Sequence, residues 1–141
     1  MTPDDTPRDW AAAQAPALED FEAIGRIAYD GLPAAFRQLI GDVLIRVADF
    51  PEEEVLDELG IESEFGLLGL FQGVGLAHAA ATPVTGQMPN MIWLYRRPIL
   101  DYWAEHEETL GGVISHVLIH EIGHHFGLSD DDMEAIEAAA G

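Results

Sequence analysis

The sequence predicts an α+β fold: a small mixed or antiparallel sheet of about three strands packed with several helices. Short runs rich in β-branched and aromatic residues recur at 42–50, 66–76 and 90–98, each bounded by proline or glycine. Around them lie stretches whose apolar residues repeat at helical spacing. The chain has 141 residues and 48% hydrophobic content, enough for one core and too little for two ordinary domains.

Residues 1–16 mix Pro, Asp, Thr, Ala and Gln without apolar periodicity and read as a loose tail ahead of one domain over 17–141. From Leu18, the residues Phe21, Ile24, Ile27 and Ala28 mark a helix that DGLP breaks. Ala34–Ile40 is a second short helix with Phe36, Leu39 and Ile40 inward. DVLIRVADF reads as a strand that stops at Pro51. Pro51 and the acids after it then open a helix that Gly60 ends, because proline suits a first turn and acids oppose the positive helix end.

GLLGLFQGVGL, residues 66–76, is apolar, short and glycine-rich, and reads as a second strand. Residues 77–90 carry turn residues without a period and read as a mobile loop. NMIWLYRRP is the clearest strand, and its Asn90–Tyr95 segment is read as an edge able to align an extended peptide. PILDYWAEHEETL follows as a helix with Ile99, Tyr102 and Trp103 on one side.

In the last segment, Val113, Val117, Leu118, Ile122 and Phe126 form an apolar stripe on a helix of about four turns. Gly127 is placed as its left-handed stop, and Ser129 with Asp132 reads as a capping box for a final helix.

Composition narrows the chemistry. With no cysteine, disulfide scaffolds, thiolate metal sites and cysteine nucleophiles are excluded, so any metal must be held by histidine and carboxylate. The net charge of −20 opposes nucleic acid and anionic membranes and favours cationic peptides or metal ions, although acidity also simply keeps a protein soluble. The start MTPDDTPRDW lacks the apolar core of a secretory signal, and no run is long enough to span a membrane. The expectation is a cytoplasmic monomer.

Three of the six histidines lie in HEIGHHFGLSDDD, residues 120–132. On a helix, residues four apart share a face, so His120 and His124 can aim at one point. Glu121, rotated about 100° from His120, falls beside such a metal within reach of a water on it. A catalytic zinc takes three protein ligands, and a reversal at Gly127 could return Asp130 to the metal. The lesser alternative is that Asp130 serves only the next helix as a first-turn acid, with Asp131 or Asp132 the ligand instead. His116, one turn before His120, is read as packing or as supporting a ligand from behind, and His125 as orienting a ligand or contacting the sheet. His78 and His106 read as plain surface histidines, and Tyr95, Arg96 and Tyr102 are candidate oxyanion or substrate contacts.

The full pattern HExxHxxGxxD resembles that of the Asp-zincins, and the string looks very like small bacterial zincin-like metallopeptidases of about this length. The order of elements over residues 20–139 is similar as well. The resemblance implies a minimal zincin fold with a small sheet packed on the active-site helix. It implies one catalytic Zn2+ held by His120, His124 and Asp130. Glu121 would be the general base for attack of a metal-bound water on a peptide bond, in a peptide or small protein. One metzincin feature is missing: Met133 follows too closely to form a separate methionine turn. The competing readings are a non-catalytic module that binds metal or a basic partner, and an acidic metal buffer.

Overall fold

The structure, a computed structural model, describes residues 10–73 and 90–140. It contains six helices and a three-stranded sheet among those residues, an α+β fold as expected. The helices are α1 Leu18–Asp30, α2 Ala34–Ile40, α3 Glu53–Leu59, α4 Arg96–Glu105, α5 Leu110–His125 and α6 Asp130–Ala140. The strands are β1 Val43–Ala48, β2 Gly69–Gln72 and β3 Asn90–Tyr95, and a 3-10 turn spans Glu64–Gly66. No described helix is long and apolar enough to cross a membrane.

The sheet is mixed, in the order β1-β3-β2. β1 runs parallel to β3 with Val43 opposite Asn90 and Ala48 opposite Tyr95. β2 runs antiparallel to it, with Gly69 opposite Leu94 and Gln72 opposite Met91. β3 is therefore the central strand, and the reading of Asn90–Tyr95 as an edge is corrected. Its run of large apolar residues suits a strand whose both backbone edges are paired and two of whose side chains, Ile92 and Leu94, are fully buried. Among the described residues β2 and β1 are the edges.

Alternation sets the two faces. Ile92 and Leu94 point into the core with Ile45, while Trp93 and Tyr95 lie on the opposite face, their rings stacked 6.4 Å apart. α1 crosses the core face closely: at Gly25 a Cβ would lie 3.1 Å from Leu94 and 3.2 Å from Ile45. The buried side of α1 is accordingly Phe21, Gly25 and Tyr29. Ile27 stands 73% exposed, contrary to the expected stripe, because it lies well over 100° round the helix from Gly25. Leu39 is likewise 40% exposed while Phe36 and Ile40 face inward.

α5 is the hub of the core. Val113, Ile114, Val117, Leu118, Ile119 and Ile122 are all buried, an apolar surface wider than one stripe because α1, the sheet, α4 and α6 all pack on it. Thr109 caps it, its Oγ1 accepting from the Gly112 amide at 3.0 Å. The preceding helix begins at Arg96, two residues before the expected Pro98, since a proline in the first turn lacks only an amide that would have no helical partner. It ends at Glu105 rather than running on to Leu110.

Ahead of α1, Pro16 is held by Arg96, which donates from Nε to the Pro16 carbonyl at 2.6 Å and from Nη1 to Asp49 after β1 at 3.0 Å. The expected loop at 77–90, with His78, lies outside the described residues except for Asn90.

Candidate metal centre

The opening turn of the site is built by α5 and its exit. Gly127 sits at φ +72°, the left-handed conformation expected for a helix stop. The capping box follows as expected: Asp132 N–H donates to Ser129 Oγ at 3.1 Å, and Ser129 N–H donates to Asp132 Oδ2 at 3.3 Å. The reversal lays α6 back along α5. Met133, 1% exposed, packs its thioether against Gly123, where its Cγ would lie 2.8 Å from a Cβ. Only a residue without a side chain admits so close a partner.

That packing decides what faces the histidines. Glu137 is one turn beyond Met133, on the same face of α6. Its Oε1 lies 3.0 Å from His116 Nδ1 and 2.9 Å from His120 Nε2. The rings of His116 and His120 are 4.0 Å apart between centroids. Among the described residues these three form the one group whose ligating atoms all lie within 4.8 Å of one another. Two imidazoles and a carboxylate are donors that zinc accepts, so the residues fit such an ion.

Of the residues singled out from sequence, His120 and His124 share a face but their rings stand nearly perpendicular, 5.9 Å apart, and His124 is exposed. Asp130 is exposed in the first turn of α6, beside Asp131 and Asp132. Glu137 was missed by sequence reasoning, which stopped at the aspartates. The burial of Met133, one turn earlier, against Gly123 turns Glu137 toward α5, and that contact is set by the packing of the two helices rather than by a motif.

On the other flank of α5, β2 runs alongside the motif. A Cβ at Gly69 would lie 2.6 Å from Val117 and 3.5 Å from Glu121 Cγ. Further along, the Phe71 ring lies 4.3 Å from that of His125, which contacts the sheet. Covered in this way, the Glu121 carboxyl loses water, and burial raises its pKa from 4.5 to about 7.

Tyr95, at the end of β3, is 3% exposed, and burial foremost, with the Glu52 and Glu121 carboxylates adding to it, raises its phenol to about 12. It therefore stays a neutral hydroxyl within the electrostatic reach of Glu121. Arg96 is engaged with Pro16 and Asp49, and Tyr102 stacks on His106 with ring centroids 3.8 Å apart.

Comparison with protein families matches residues 40–140 to the family described as zincin-like metallopeptidase. The chain belongs to that family. The match spans β1 through α6, and thus His116, His120, Glu121, His124, Asp130 and Glu137. No curated protein matches the chain. A zincin-like metallopeptidase needs a metal, and the histidines and carboxylates gathered around α5 offer the donors.

Proposed function

We propose that this chain is a zinc-dependent peptidase acting on peptide or small-protein substrates, with Glu121 as general base. The observation that carries the reading is the position of Glu121. It follows His120 on the motif helix of a zincin-like metallopeptidase, and its side chain lies partly buried beside Gly69 of β2, where burial raises the carboxyl's pKa to about 7. A site that merely stapled the fold together would have no use for a desolvated acid beside the ligand histidines.

His120, His124 and Asp130 are the proposed ligands, following the HExxHxxGxxD spacing. When bound, zinc supplies Lewis acidity, polarising a carbonyl and making water more acidic. Glu121 does the proton work: its carboxylate takes a proton from the attacking water and returns it to the leaving amine. A carboxyl held near neutrality by burial is well matched to both transfers, and a neighbouring cation shifts it toward the ionised form that starts the cycle. Tyr95, a neutral donor near Glu121, is the best supported of the three candidate oxyanion or substrate contacts, because Arg96 and Tyr102 are occupied elsewhere.

The test is a peptide-library digest on zinc-loaded parent and Glu121→Gln proteins. Cleavage by the parent and a loss of two or more orders of magnitude in the variant, at equal zinc content, is expected. A Glu121→Gln protein that binds zinc and cleaves as well as the parent would sink the mechanism. Asp130→Ala should weaken zinc binding at least tenfold, and unchanged affinity removes Asp130 from the ligand set.

A further inference from the structure

We infer that His116, His120 and Glu137 form a second divalent-cation position, exclusive of the proposed catalytic set because both need the His120 imidazole. The geometry is a convergence of three donors from two helices on one point, with Glu137 Oε1 2.9–3.0 Å from both ring nitrogens. Bond lengths to zinc of about 2.0–2.2 Å set neighbouring ligands roughly 3.4 Å apart in a tetrahedron. The carboxylate oxygen needs to move about half an ångström away from each ring nitrogen to admit the ion. Side chains that are 28–43% exposed can do that without disturbing the core.

A second observation points the same way. A cavity of about 440 Å³ opens directly onto His116 and Glu137, bordered by Glu108, Thr109, Gly112 and Ser115. It leaves room for the water that a three-ligand cation still requires. The cavity lies on the His116 side of α5, whereas Glu121 is rotated about 140° from His116 and covered by β2. A cation held at this position is therefore drawn toward His116, away from the β2 flank on which Glu121 lies, and is offset from the base. Because His120 Nε2 faces Glu137, loading the catalytic set requires that contact to be given up. The two positions compete for one imidazole, so zinc in the second position blocks the first.

The inference rests on the proposed ligand set for the competition over His120 and for the choice of variant; the second position itself does not depend on it. Zinc uptake by the metal-free full chain is measured by equilibrium dialysis, with circular dichroism verifying the fold of each protein. His124→Ala/Asp130→Ala removes two proposed catalytic ligands and should still bind one zinc. Adding Glu137→Gln should weaken that binding at least tenfold, while adding Glu134→Gln, an exposed acid of the same helix, should leave it unchanged. Absence of zinc in the double variant, or equal effects of Glu137→Gln and Glu134→Gln, overturns the site. Two zinc ions bound together by the parent, one of them lost with Glu137→Gln, overturns the sharing of His120. None of these readouts involves cleavage, so failure of the peptidase reading is seen separately.

Discussion

Replacing Glu121 by Gln in the metal-free protein should change not only activity but the way stability depends on pH. The folded-state pKa of Glu121 is raised by burial from 4.5 to about 7. Below about pH 4.5 the group is protonated in folded and unfolded chains alike and contributes nothing to the difference. Between about 4.5 and 7 the unfolded chain has released the proton and the folded chain holds it, so stability falls as pH rises. Above about 7 both are ionised and the loss is complete. At about 1.4 kcal/mol per pH unit, the full conversion is on the order of 3 kcal/mol, which is a ceiling because part of the carboxyl keeps its water. Gln has the same shape and no charge to bury. The assay is urea unfolding of parent and Glu121→Gln in chelator, from about pH 4 to about pH 8. Taking the difference between the two proteins cancels the titration of the other acidic groups. The Gln variant should gain on the parent by 1–3 kcal/mol across that interval. A difference that stays flat with pH would refute the claim that burial holds this carboxyl near neutrality, and with it the match to both proton transfers.

Two other substitutions probe the surroundings of the site. Gly69→Ala puts a methyl 2.6 Å from Val117 and 3.0 Å from the Trp93 carbonyl, neither of which can swing away. It should destabilise by about 1–3 kcal/mol in urea unfolding, and an unchanged midpoint would show that β2 does not press on α5. Arg96→Ala removes the bonds to Pro16 and Asp49, so amide exchange over residues 10–16 should rise while cleavage by the zinc-loaded protein is retained. A large loss of turnover with unchanged exchange would return Arg96 to the oxyanion candidates.

Most elements were legible because their determinants are local. α2 matches its expected span, and Gly127, Ser129 and Asp132 do what their chemistry requires wherever such a sequence occurs. The motif itself was equally legible, since a spacing of four on a helix defines a face without reference to the rest of the fold. What failed depended on neighbours distant in sequence. An apolar run looks the same in a central strand and an edge strand, and only the parallel pairing of β1 with β3 makes Asn90–Tyr95 central. Ile27 has the hydrophobicity of a core residue, and only the direction from which the sheet approaches α1 leaves it exposed.

The same division holds at the metal centre. By itself the sequence determined a helix bearing His116, His120 and His124 one turn apart, an acid beside the middle one, and a stop that folds the chain back. Those follow from helical periodicity and from the conformational freedom of one glycine. The tertiary structure decided that Glu121 lies partly buried against β2, with its pKa raised to about 7, and that Glu137 reaches His116 and His120. Both depend on the contact of two surfaces, Gly69 on Val117 and Met133 on Gly123, and a contact between surfaces is set by shape, which no spacing along the chain records.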